Sequence, residues 1–106
     1  MASHNDRNRV EEIVKEYGKL VQEKVDIKYI YLYGSYAKGT HSLDSDIDIA
    51  VIGDDFIGDP IEDTLMLMRI RRKVDNRIEP RSFKTSEFNL SNPLAREIIS
   101  TGIKII

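Results

Sequence analysis

Two carboxylates two residues apart, Asp46 and Asp48, follow a Gly34-Ser35 pair with ten residues, Tyr36 to Ser45, between. On an extended chain residues i and i+2 share a face, so the two acids stand side by side. Adjacent ionised carboxylates repel, and burying them is costly unless a cation compensates. A ligand set of oxygens alone selects a hard cation. Mg²⁺ in particular binds through one or two carboxylates plus the phosphates of its substrate. The glycine of Gly34-Ser35 lets the backbone approach a bulky anion, and a helix beginning there presents free N–H donors. The Ser35 hydroxyl adds a further donor for a phosphate oxygen. Together these residues point to divalent-metal chemistry on a phosphorylated substrate.

The elements around them can be read from periodicity. Val10, Ile13, Val14, Tyr17, Leu20 and Val21 recur at helical spacing, which predicts an amphipathic helix over 7–24. Ile27 to Tyr33, rich in β-branched and aromatic residues and closed by Gly34, reads as an interior strand covered on both faces. A short helix is expected from Ser35 to Gly39, then a polar loop containing His41 and Asp44, then a second strand from Asp46 to Ile52. The apolar Ile47, Ile49 and Val51 assign the face opposite the two acids to the core. Asp59-Pro60-Ile61-Glu62 is a helix start: a capping Asp, Pro at the first position and Glu three residues after the cap. Arg69, Arg71, Arg72 and Lys73 suit that helix's last turn as a solvated basic end, with Met66 and Met68 as core filler. Ile78 to Phe83 reads as a third strand weakened by Pro80, Asn92-Pro93 opens a last helix stopped by Gly102, and Ile103 to Ile106 is a short apolar tail. The order α-β-(α)-β-α-β-α-β predicts an α+β fold of α/β type, a small mixed sheet flanked by helices.

Gly34-Ser35, ten residues, then Asp46-Ile47-Asp48 resembles the G-S-x10-D-x-D signature of the DNA polymerase β-like nucleotidyltransferase superfamily. The brevity of the chain resembles its minimal nucleotidyltransferase branch, as do Ala37-Lys38-Gly39 and Ser45-Asp46. The resemblance implies a third carboxylate on a later strand, for which Glu79 is the candidate, followed directly by Pro80. It implies Mg²⁺ held by Asp46, Asp48 and Glu79, with ATP held by Gly34, Ser35, Lys38 and Ser45. Its reaction would move AMP from ATP to a hydroxyl. Minimal nucleotidyltransferases are commonly antitoxins that adenylylate a tyrosine of a helical HEPN-domain ribonuclease toxin, so a hetero-oligomer with such a toxin is the implied assembly. Two other readings stay open: a non-catalytic module that binds nucleotide or partner by contact, and the catalytic subunit of an aminoglycoside-type transferase.

With 106 residues, one domain spanning 1–106 is expected, with no second domain to close over a small substrate. Sixteen basic against eighteen acidic residues leave a net charge of −2, so no overall field draws the chain to nucleic acid or lipid, and direct nucleic-acid binding is not expected. Locally the balance breaks. Gly39 to Met68 holds eight acids and no Lys or Arg, whereas Arg69 to Lys84 holds seven bases and only two acids, a split that suits metal ions beside phosphates. The absence of cysteine excludes disulfides and thiolate zinc sites, no apolar run spans a bilayer, and the charged N-terminus is no signal peptide. A cytoplasmic protein is the expectation.

Overall fold

The computed structural model describes residues 4–42, 44–56 and 60–106. Four strands form one mixed sheet in the order β3-β2-β1-β4, with β1 at Tyr29–Tyr33, β2 at Ile47–Gly53, β3 at Ile78–Lys84 and β4 at Ile103–Lys104. β1 is antiparallel to both its neighbours, and β2 and β3 run parallel. A parallel pair needs a crossover. Helix α3, Pro60–Arg71, supplies it. Helices α1 (His4–Gln22), α2 (Ser35–Lys38) and α4 (Pro93–Thr101) complete the α+β architecture.

The core has two parts, one on each face of the sheet. On one face α1 buries Val10, Ile13, Val14, Tyr17 and Val21 against Ile30, Leu32, Ile47, Ile49 and Val51, with Leu67 and Ile70 from α3. The buried Tyr17 hydroxyl donates to Leu67 O at 2.7 Å and joins the two helices. On the other face α4 packs Ala95 and Ile98 on Ala50, Ile52 and Phe83. Asn92 caps α4, its Oδ1 accepting from the N–H groups of Leu94 and Ala95 at 3.1 and 3.2 Å. No described helix is long and apolar enough to cross a membrane.

Several expectations are revised. Helix α1 ends at Gln22, and residues 23–25 turn back on it through bonds to Leu20 O and Val21 O. Strand β1 is interior, but only Ile30 and Leu32 are fully buried; its three tyrosines stay partly exposed on the face that α4 covers incompletely. Asp46 lies one residue ahead of β2. The Asp59 cap falls outside the described residues, although α3 does begin at Pro60. The end of α3 is not uniformly solvated: Arg71 is half-buried and donates to Ile78 O at 2.8 Å.

Pro80 sits comfortably because β3 is an edge strand. Ile47 N–H bonds Arg77 O at 2.8 Å while Ile47 stands opposite Ile78, so residues 77, 79, 81 and 83 bond to β2. Residues 78, 80, 82 and 84 therefore direct their backbone groups outward, and the N–H that proline lacks would have faced away from the ladder.

Candidate active site

The strand registers align Tyr33 of β1, Asp48 of β2 and Glu79 of β3 in one row across the sheet. The next rows on that face are Tyr31, Ala50 and Arg81, then Tyr29, Ile52 and Phe83. Helix α4 covers Ala50, Ile52 and Phe83. The first row is left open, and Tyr33, Asp46, Asp48, Glu79, Pro80 and Arg81 line a cleft of about 280 Å³ there. The three acids proposed from sequence thus meet in one cleft.

Asp48 is the most constrained of them. Burial raises its carboxyl above the usual range, and the charges of Asp46 and Glu79 push the same way. No basic group offsets the two charges that act on Asp48, and the oxygen donor set fits a hard divalent cation. Among the described residues, no three ligating side chains form a preformed cage. Glu79 turns its Oε1 to the Arg71 guanidinium at 3.4 Å, rather than to Arg77 or Arg81. Arg77 instead pairs with Asp75 at 2.9 Å and holds that carboxyl below the usual range.

The turn before α2 is glycine for two geometric reasons. Gly34 has φ 73° and ψ −147°, a region essentially closed to side chains. A Cβ built there would also land on Asp48 Oδ2. The sequence suggested room for a bulky anion; within the chain itself, the room accommodates the Asp48 carboxylate. Gly39 closes α2 in the left-handed region at φ 77°. Gly34→Ala is expected to cost about 1–3 kcal/mol from backbone strain alone, lowering Tm by roughly 5 °C or more. Thermal unfolding checks it, and an unchanged Tm would contradict the contact with Asp48.

The connecting loop is anchored rather than free. Tyr36 is buried, its hydroxyl accepts from Arg77 Nη1 at 3.3 Å, and its ring stacks on His41 with centroids 4.2 Å apart. Ser45 Oγ accepts from Ser42 N–H at 2.8 Å and closes the turn that leads into Asp46. Ser35, Lys38 and Ser45 do not line the carboxylate cleft. Lys38 reaches Glu97 on α4 at 3.3 Å and is exposed. Two cleft residues escaped the sequence reading. Tyr33 directly precedes the Gly-Ser pair, and Arg81 lies two residues after Glu79 on the same face. The Tyr33 hydroxyl's pKa is raised, first by burial and then by the charge of Asp48, against the opposing pull of Arg81.

A mixed sheet that carries paired acids beside a strained Gly-Ser turn has the layout of a nucleotidyltransferase-type domain. The family described as Polymerase beta, Nucleotidyltransferase matches residues 14–106, and the chain belongs to it. Two curated relatives from Methanocaldococcus jannaschii, both named "Putative protein adenylyltransferase" (MJ1379 and MJ0604), are 41% identical over 44 residues and 44% identical over 46. Each match takes in 42% of this chain and 44% or 46% of the relative, so the chain spans less than half of either relative's length. Among solved structures, a toxin-antitoxin with AMP-PNP aligns with TM-score 0.66 at 24% identity, covering 91% of this chain and 72% of that one. A mutant of the MntA-HpeT toxin-antitoxin aligns with TM-score 0.65 at 21% identity, covering 87% and 71%. At these identities the likeness is one of fold.

Proposed function

We propose that residues 1–106 act as a single minimal nucleotidyltransferase domain that moves AMP from ATP onto a hydroxyl of a protein partner, most favourably a tyrosine. The observation that carries this reading is the row of Asp48 and Glu79, with Asp46 beside it, next to the Gly34 turn. In the reaction the acceptor oxygen bonds to the α-phosphorus as the bond from that phosphorus to the bridging oxygen breaks. Pyrophosphate leaves with the electron pair, and the acceptor proton passes to Glu79. Asp46 and Asp48, with Glu79, would hold Mg²⁺, which neutralises the triphosphate and lowers the pKa of the acceptor hydroxyl. Ser35 and the backbone around Gly34 hold the β- and γ-phosphates, with Lys38 and Ser45 at the margin of that subsite. Positioning and charge compensation carry the rate.

The family supports the transfer, and the names of the curated relatives and the toxin-antitoxin neighbours in fold support a protein acceptor. So does the cleft, which no described element covers; the acceptor must itself exclude water. The partner proposed is a helical HEPN-type ribonuclease toxin in the cytoplasm, bound as a hetero-oligomer and silenced by modification. Tyrosine is favoured because its phenol, of ordinary pKa about 10, deprotonates more readily than an alkyl hydroxyl.

Co-expression with the protein encoded beside it, followed by intact-mass spectrometry, is expected to show AMP added to that neighbour. An unmodified neighbour, with adenylylation of an aminoglycoside by this chain alone, would overturn the reading in favour of small-molecule transfer. A second reading, a partner-binding module without catalysis, draws support from one contact: Glu79 is engaged by Arg71.

A further inference from the structure

We infer that the outer edge of β3 is the dock for the acceptor, which binds as an extended segment added to the sheet beside Glu79; this rests on the protein-acceptor reading above. The sheet has two edges, the two-residue β4 on one side and the seven-residue β3 on the other. Along that edge the outward groups have unequal fates. Ile78 C=O is taken by Arg71, and Pro80 has no N–H to offer. Pro80 C=O and the N–H and C=O of Ser82 have no hydrogen-bond partner among the described residues. A donor and two acceptors at strand spacing are matched by another extended backbone, and strand addition at an exposed edge is an established mode of peptide capture.

The surroundings are built as a groove. Thr64 of α3 forms one wall, Pro80, Arg81, Ser82 and Phe83 the floor, and Glu87 with Asn92 the other wall, around about 410 Å³. Pro80 and Arg81 belong also to the carboxylate cleft, so groove and cleft adjoin at these two residues. Two exposed large hydrophobic residues adjoin the lining in sequence: Leu65 follows Thr64 on α3, and Leu90 lies in the segment between Glu87 and Asn92.

Register fixes what such a segment would present. Neighbouring strands lie about 4.8 Å apart, and paired residues share a face. Continued one residue past its pairing with Pro80, the added strand brings a side chain level with the row Tyr33–Asp48–Glu79, on the cleft face beside the Glu79 carboxylate. A hydroxyl side chain at that place lies next to the group proposed to take its proton. Arg71 stops the pairing at Ile78, so the hydrogen-bonded register falls on Pro80 to Lys84.

Hydrogen exchange on the complex with the co-expressed neighbour tests this directly. The Ser82 and Lys84 amides are expected to exchange freely in the chain alone and to slow by about tenfold or more in the complex. Ser82→Pro removes the outward donor, leaves the β2 ladder intact, and is expected to lower transfer to the protein about tenfold or more. Ser82→Ala, which keeps the amide, is expected to restore both transfer and protection. A complex in which both amides exchange as in the free chain would overturn the inference. So would their protection in a dimer of this chain alone, which would assign the edge to self-pairing. Intact mass reads the reaction separately: a protected edge with an unmodified neighbour would uphold the dock and refute the transfer.

Discussion

Asp48→Asn, and Asp46→Asn with it, are expected to lower AMP transfer by about a thousandfold, about 4 kcal/mol of transition-state stabilisation, while the fold survives. The asymmetry follows from what the carboxylates do in each state. In the protein alone Asp48 is held partly buried beside Asp46 and in line with Glu79, and its pKa is raised by burial and by both charges. An acid whose folded pKa is raised opposes folding above that pKa and ceases to do so as pH falls through it. The neutral amide therefore removes a repulsion, and Tm of Asp48→Asn is expected to equal or slightly exceed that of the wild type. Nucleotide binding moves the other way, because the pair no longer holds the cation that compensates the triphosphate. Calorimetry of ATP with Mg²⁺ and with EDTA measures this: wild-type binding is expected to require the metal, and Asp48→Asn to bind weakly in both. Equal wild-type affinity in EDTA, or unchanged turnover in either variant, would remove the two carboxylates from the mechanism.

What the sequence made legible was local in character. Alternation along residues 46–52 placed Ile47, Ile49 and Val51 in the core and so turned the acids to the other face, as found. The caps and breakers around α4 likewise act within a few residues, and Asn92 and Gly102 bound that helix as read. Contacts between distant segments were not legible. That Tyr33, Asp48 and Glu79 fall in one row depends on two strand registers, and no residue near any of them encodes either register. Arg71 reads as one more base in a helix end; its role depends on where α3 delivers it, against the outward carbonyl of Ile78 on the edge strand, seven positions on. Pro80 reads as a weakness while its strand's place in the sheet is unspecified; at an edge the missing donor costs the ladder nothing. Gly34 reads from sequence as the approach for an anion; that the atoms nearest its absent side chain belong to Asp48 depends on the β1–β2 pairing.

Glu79→Gln is expected to separate catalysis from binding. The register continues unbroken through Asp48↔Glu79, Ile49↔Pro80 and Ala50↔Arg81, so Pro80 does not bend the strand away from β2. Glu79 is exposed and held at 3.4 Å by Arg71, which leaves its carboxylate reachable by a docked acceptor. A glutamine keeps the shape and the position beside Arg71 but can take no proton and carries no charge to share with Asp46 and Asp48. Binding of Mg²⁺-ATP should therefore change little, because the paired aspartates remain, while transfer to the protein acceptor falls by about a hundredfold to a thousandfold, the usual scale for a lost general base. The two quantities are measured independently, by calorimetry with ATP and by the rate at which the partner gains mass. Arg71→Gln sharpens the comparison. If Arg71 serves to orient Glu79, its loss lowers transfer but less than Glu79→Gln does, and adding it to Glu79→Gln lowers transfer no further. Wild-type transfer by Glu79→Gln would refute the three-carboxylate site and leave the chemistry to Asp46 and Asp48 alone.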